Sequence, residues 1–371
     1  MPSGIYIHIP FCRRKCPYCD FYSVVSDKET IHKYVLALVR NISNFNSKNT
    51  SVDTVYFGGG TPSLVEPSDI SLIIDAIKDS FDLSDNSEIT IEANPCTVDL
   101  ERLKGYRSAG INRISFGVQS ANDTELLSLG RLHNFSLAEQ AVLNAQTVGF
   151  TNVSCDLMIG TPNQTMESLK ESIHRLAGLN IQHVSAYMLK IEEGTAFDCD
   201  TIRESVANDD TVSDMYLMMC KELEDLGYNQ YEISNFSLSG YESRHNSKYW
   251  NLDDYIGFGP ASHSLWKGKR FFVPSDLNEY LSLDTQRIVV EDDSPDPLEE
   301  YIMLSLRLTS GLSLLKVDEL GGNSDSIMQT SKQFIDMGLA KLSNGILSFT
   351  PKGFLVSNDL ILKLIMSQDW Q

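Results

Sequence analysis

The 371-residue chain lacks an apolar run of the ~18–20 residues that a membrane span needs. Its opening, Met-Pro-Ser-Gly-Ile-Tyr, has neither the basic nor the apolar region of a signal peptide, so a cytoplasmic location is expected. It is short of cations: 30 Lys and Arg face 50 Asp and Glu, for a net charge of −20. Such a chain repels a phosphate backbone, which argues against general nucleic-acid binding. Cysteine is scarce and odd in number, seven in all, which argues against a disulfide framework. Four of them, Cys96, Cys155, Cys199 and Cys220, are scattered and read as ordinary buried thiols.

The remaining three fall within eight residues, as Cys12-x3-Cys16-x2-Cys19. A structural zinc site wants four ligands, usually in two pairs, and no fourth Cys or His follows closely. Thiolates also suit iron–sulfur clusters. Three cysteines on one loop can take three corners of a cubane and leave one iron open. That suits a cluster that binds a ligand rather than one that only carries electrons.

The first half alternates apolar, β-branched runs with helical patterns. The runs are Ile5–Ile9, Val52–Phe57, Ile89–Ala93, Arg113–Val118, Asn152–Met158 and His183–Leu189. Between them, Ile31, Tyr34, Val35, Leu38, Val39 and Ile42 share one helix face, as do Ile70, Ile73, Ile74, Ile77 and Phe81, and Leu169, Ile173 and Leu176. Six β-then-α units predict a parallel sheet with right-handed crossovers, open or barrel-like. A helix is expected at 209–226, then an aromatic-rich irregular stretch from Tyr228 to Phe272. Glu291–Pro297 reads as a linker. Helices near 298–308, 324–337 and 351–366, with a hairpin at Leu339–Phe349 turned by Asn344-Gly345, predict a winged-helix-like module. In an acidic chain, packing or a lid role suits that module better than DNA binding.

Candidate ligand-binding residues follow successive strands. Gly58-Gly59-Gly60-Thr61-Pro62 comes after the second, Glu92 ends the third, Gln119 follows the fourth with Arg131 twelve residues on, and Asp156 lies in the fifth. Each alone is commonplace. Together they mark the carboxyl ends of consecutive strands, where β/α barrels build their sites. That placement favours the barrel.

The C-x3-C-x2-C loop, the GGGTP segment and this series resemble the radical S-adenosylmethionine (SAM) superfamily. The resemblance implies a partial (β/α)6 TIM-like barrel with a smaller C-terminal α+β domain. It implies a [4Fe–4S] cluster on Cys12, Cys16 and Cys19 whose open iron chelates SAM, and one-electron cleavage of SAM to methionine and a 5′-deoxyadenosyl radical. Tyr6, Gly59, Gly60, Thr61, Glu92, Gln119, Arg131 and Asp156 match SAM-contacting positions. No catalytic residue is assigned.

Nearly the whole chain resembles the HemN/HemW branch, which contains oxygen-independent coproporphyrinogen III oxidases and haem chaperones. The oxidases carry a further cysteine two residues on, where Phe21 stands here, and an extension before the cysteines. His245-Asn246-Ser247-Lys248-Tyr249-Trp250 resembles the H-N-x-x-Y-W motif of the chaperones. There His245 would offer haem an axial imidazole and Tyr249 and Trp250 a flat apolar surface, although a histidine among aromatics is commonly structural. His263 is a further candidate ligand. The expected partners are haem, apo-haemoprotein acceptors and a flavodoxin- or ferredoxin-type electron donor. A homodimer is compatible with the sequence. The competing expectation is a coproporphyrinogen oxidase, which needs cations for substrate carboxylates; Arg203, Arg244 and Arg270 are available. The expected divisions are a barrel over 1–230, an aromatic-rich extension over 231–290 and the C-terminal module over 291–371.

Overall fold

Alternation, rather than unbroken apolar character, organises the strands. The computed structural model describes residues 1–45 and 47–368. Its first six strands are β1 (Ser3–Ile9), β2 (Ser51–Gly59), β3 (Asp82–Ala93), β4 (Arg113–Gln119), β5 (Val153–Ile159) and β6 (His183–Met188). Each pairs in parallel with the next. On one face Ile5, Ile7, Ile9, Phe57, Ile91, Ile114, Phe116, Val153 and Leu157 are fully buried. The alternate residues, among them Tyr6, Tyr56, Glu92, Ser115, Ser154, Asp156 and His183, contact one another across the opposite, concave face. The sheet thus has an apolar outer face and a polar lumen.

Crossover helices cover the apolar face. Helix Lys28–Phe45 buries Ile31, Tyr34, Val35, Leu38 and Ile42, and helix Pro67–Ser80 buries Ile70, Ile73, Ile74 and Ile77, as their spacing predicts. Each such side chain contributes about 1.5–3 kcal/mol on burial. Helix Leu100–Ala109 shows how the ends are set. The Asp99 carboxylate accepts from the Arg102 amide at 2.8 Å, and Gly110 at φ 107° ends the helix in the left-handed region.

Beyond β6 the chain works on both edges of the sheet. After helix Asp209–Asp225 come β7 (Asn229–Gln230) and β8 (Asn235–Ser237), with β8 antiparallel to both β6 and β7. Helix Arg244–Trp250 then crosses to the other side, where β9 (Tyr255–Phe258) pairs in parallel with β1. Strands β10 (His263–Trp266), β11 (Lys269–Phe272) and β12 (Val289–Asp292) follow as antiparallel neighbours. The stretch expected to be irregular, Tyr228–Phe272, therefore carries five strands. They escape the eye because none has more than four residues. The sheet has 12 strands in the order β12-β11-β10-β9-β1-β2-β3-β4-β5-β6-β8-β7. Its two ends, β12 and β7, are not hydrogen-bonded neighbours among the described residues, so the barrel is partial.

Glu291 and Asp292, expected in a linker, belong to β12, and Asp296 caps helix Pro297–Ser305. The module expected over 291–371 is described as far as residue 368. It contains β13 (Leu312–Ser313), helices Leu314–Glu319 and Ser324–Asp336, and the hairpin β14 (Ala340–Ser343) and β15 (Ile346–Phe349). Asn344 (φ 52°) and Gly345 (φ 76°) make the expected turn. The single helix expected over 351–366 is two, Pro351–Leu355 and Ser357–Met366. Val356 breaks it at φ −120°, ψ 21°. The module meets the sheet through backbone bonds from Ile233 to Arg307 and from Thr309 to Tyr231. Among the described residues no helix is long and apolar enough to cross a membrane.

Candidate functional site

The cysteine loop leaves the carboxyl end of β1 in the middle of the sheet. Cys12, Cys16 and Cys19 are half-buried. The Cys12 Sγ lies 3.4 Å from the Thr61 hydroxyl, and Arg131 donates to the Cys16 Sγ at 3.5 Å and to the Gly117 carbonyl at 2.6 Å. The loop thereby touches the GGGTP segment and the turn after β4. Among the described residues no three His, Cys, Asp or Glu side chains converge on a single metal ion. The donor set of three thiols on one loop fits a cubane, in which each thiolate takes its own iron. Arg131 adds to the fit: its buried Nε has no partner while one of its terminal nitrogens reaches the Cys16 thiol.

The glycines are dictated by close approach. A Cβ on Gly60 would stand 2.7 Å from the Phe11 carbonyl oxygen and 2.9 Å from that of Ile9. Gly59, at φ 108°, packs against the His8 ring. The Gly60 amide donates to Ile9 at 2.8 Å, which ties this turn to the base of the cysteine loop.

Glu92 and Asp156 face the same lumen. The Tyr56 hydroxyl donates to Glu92 at 2.8 Å, and the Ser115 hydroxyl to Asp156 at 3.1 Å. Burial, reinforced by Asp156, pushes the Glu92 carboxyl up to about 7. Burial pushes Asp156 up to about 6 against its serine hydrogen bonds. Gln119 has φ 74°, unusual for a residue with a side chain, and its amide lies beside Arg131 over Gly117. Tyr6 stacks on Tyr56 at 6.2 Å, and its hydroxyl meets His8 Nδ1 at 3.2 Å. The structure thus brings Tyr6, Gly59, Gly60, Thr61, Glu92, Gln119, Arg131 and Asp156 to the lumen and rim beside the cysteines. Two acceptor carboxylates, a buried cation and exposed backbone suit a ligand carrying hydroxyl, amino and carboxylate groups.

Sequence reasoning missed the polar neighbours of this set. Arg113 is 2% exposed, and its Nε has no partner. Tyr56, Ser115 and His183 line the lumen with it. Alternation along β2–β6 was the available signal, masked because Val and Ile fill every other position.

The expected haem motif lies away from the cysteine rim. Helix Arg244–Trp250 closes the amino-terminal end of the barrel. Glu88 accepts from the Arg244 and His245 amides, and Lys248 Nζ pairs with Asp53 at 2.8 Å. His245 is 0% exposed. Its Nδ1 bonds the Thr54 hydroxyl at 2.9 Å and its Nε2 the Tyr249 hydroxyl at 2.8 Å. Burial pushes this imidazole down to about 3, so it is neutral. Tyr249 packs edge-on against Tyr255 at 4.6 Å, and Trp250 is half-buried. His245 lies beside Gly4, five residues or about 16 Å along β1 from its carboxyl end. The expected axial ligand therefore has no free ring nitrogen here.

His263 is exposed on β10, stacked on Phe272 at 5.5 Å, with Nδ1 3.7 Å from Glu291. The three arginines considered for substrate carboxylates are already paired: Arg203 with Asp198, Arg244 with Asp53 and Arg270 with Glu300.

Comparison with known proteins follows this geometry. Residues 6–176 match the Radical SAM superfamily, and residues 292–356 the HemN C-terminal domain. The chain is 34% identical to the heme chaperone HemW of Bacillus subtilis over 377 residues, covering 96% of this chain and 98% of that one. It is 38% identical to the heme chaperone HemW of Escherichia coli over 318 residues, 83% of each. Coproporphyrinogen III oxidase (HemN) of Escherichia coli superposes with a TM-score of 0.84 at 20% identity, over 98% of this chain and 90% of that one, which speaks for the fold alone. With a lumen and rim of this kind and likeness along its whole length, the chain belongs to the HemW family of radical SAM proteins.

Proposed function

We propose that this protein is a haem chaperone that holds a [4Fe–4S] cluster and SAM, binds haem and hands it to apo-haemoproteins. The observation that carries the reading is identity at 34% across 96% of the chain to a protein named heme chaperone. Cys12, Cys16 and Cys19 would hold the cluster, which supplies one-electron reduction of SAM when bound. Glu92 and Asp156 would accept from SAM hydroxyl and amino groups, and Arg131 would face its carboxylate. Exposed Arg13, Arg14 and Lys15 between the cysteines, in a chain of net charge −20, favour an acidic flavodoxin- or ferredoxin-type electron donor.

The oxidase reading draws on the shared fold. The three arginines weighed for propionates, Arg203, Arg244 and Arg270, are engaged, and Phe21 stands where the oxidases have a cysteine. The test is an anaerobic haem titration of the reconstituted protein, followed by transfer to an apo-haemoprotein. Saturable binding and transfer are expected. No binding, with coproporphyrinogen III converted instead, refutes the proposal.

A further inference from the structure

Two glycines on neighbouring strands let one column of side chains run from the barrel floor up to Glu92. On β1 and β2 the lumen face carries Gly4, Tyr6 and His8 paired with Thr54, Tyr56 and Gly58. A Cβ on Gly4 would stand 3.0 Å from the Thr54 hydroxyl, 3.1 Å from Lys248 Cδ and 3.2 Å from His245 Cε1. Its absence admits helix Arg244–Trp250 to the floor. A Cβ on Gly58 would stand 3.0 Å from the Tyr6 ring, 3.0 Å from the Tyr56 ring and 3.2 Å from Glu92 Oε1. Its absence lets the two rings and the carboxylate meet beneath the glycine turn.

Between these glycines lie three rings. His245 is centred 5.2 Å from Tyr56 and 6.4 Å from Tyr6, the tyrosines are 6.2 Å apart, and no two planes differ by more than 28°. Thr54 and Tyr249 engage both nitrogens of His245, so its ring is fixed beneath the tyrosines. The two tyrosine hydroxyls then diverge. His8 Nε2 donates to the Tyr22 carbonyl at 3.2 Å, which leaves its Nδ1 to accept from Tyr6. Tyr56 instead donates to Glu92 at 2.8 Å, and among the described residues no other side chain hydrogen-bonds that carboxylate. The charged and titratable groups that face it from the other elements are Tyr6 on β1, Arg113 on β4, Asp156 on β5, Tyr187 on β6 and Tyr249 on the floor helix. None of these fixes its direction. An O–H on one carboxylate oxygen leaves the other oxygen to a ligand and favours the ionised form. The Tyr56 bond accordingly holds the Glu92 carboxyl below where burial alone would carry it.

We infer that Tyr56 is a positioning residue of the SAM site: seated on His245, it aims the Glu92 carboxylate at the ligand. The inference rests on the SAM reading of the lumen. It gives the helix that carries His245 a task other than haem ligation, since the floor of the barrel supports a contact at its upper end.

The test is isothermal calorimetry of SAM on anaerobically reconstituted protein between pH 5 and 8. Wild type is compared with Tyr56→Phe, His245→Ala and the double variant. SAM's own groups titrate alike in each, so they cancel in the comparison. Tyr56→Phe keeps the ring and deletes the hydroxyl. Its SAM affinity at pH 7 should weaken about tenfold, as for loss of a hydrogen bond to a charged group. The pH at which affinity is half lost should rise by up to about one unit, while iron content matches wild type. A weakened affinity with that pH unmoved, or no change in either, overturns the role of Tyr56. His245→Ala should weaken SAM about threefold in the wild type and no further in Tyr56→Phe. Equal losses in both backgrounds overturn the seating by His245. No SAM binding by the iron-loaded wild type overturns the SAM reading itself.

Discussion

His245→Ala separates structure from ligation. The change deletes an imidazole with no exposed surface and two hydrogen bonds. Two such bonds contribute about 2 kcal/mol. The cavity, beside Tyr56 at 5.2 Å and Tyr6 at 6.4 Å, adds one or two more. A loss of about 3 kcal/mol at pH 7 follows, or roughly a 4 °C fall in Tm if all 371 residues unfold together. The cost should depend on pH. The native imidazole titrates near 3 and the unfolded one near the ordinary 6.5. Below about pH 6.5 the unfolded state therefore binds the extra proton, and wild-type His245 destabilises the fold increasingly as pH falls. By pH 4 that linkage amounts to about 3 kcal/mol. The alanine variant escapes it, so the two proteins should have nearly equal stability there. Urea melts at pH 4, 5, 6 and 7, with a haem titration at pH 7, make the assay. A variant as stable as wild type at pH 7 that has lost haem binding would refute the argument and restore His245 as the ligand.

Two further changes probe the rim. Gly60→Ala drives a Cβ to within 2.7 Å of the Phe11 carbonyl. It should lower iron content per chain severalfold while far-ultraviolet circular dichroism is unchanged; full iron loading would contradict the packing account. Glu92, with its carboxyl at about 7, would hold SAM hydroxyl and amino groups more strongly as a carboxylate. SAM affinity by isothermal calorimetry should fall by up to about tenfold per pH unit below 7, and Glu92→Gln should flatten that dependence. A wild-type profile already flat between pH 5 and 8 would remove Glu92 from the contact.

Much of the fold was legible because the parallel strands carry β-branched cores. Five of the six expected runs begin within two residues of their strands and end within two. The third, expected from Ile89, begins at Asp82, because Asp82–Glu88 is too polar to read as strand. Four things were not legible. The strands of Tyr255–Phe272 are short, aromatic and interrupted by turns at Gly259 and Gly268. Val356 stops a helix that its flanking periodicity would continue. The lumen's polarity was hidden by reading β4 as an apolar run although Arg113, Ser115 and Gln119 alternate within it. His245 was legible as a motif but not as a floor, because its partner Thr54 comes from β2, which periodicity cannot place beside the helix that carries His245 and Tyr249. The cysteine and glycine segments stood out for a local reason: backbone spacing within one loop is visible in one dimension.

The position of β1 bears on order of loss. It is flanked by β2 on one side and β9 on the other, fifth from the β12 end of the sheet and eighth from the β7 end. Its amides are therefore among those that open last in hydrogen exchange, while β12 and β7 at the margins fray first. Stripping iron from the protein should raise deuterium uptake across residues 12–25 and leave Ile5, Ile7 and Ile9 as slow as before. Metal loss would then be a reversible event confined to one loop, and a cell could reload the chain without refolding it.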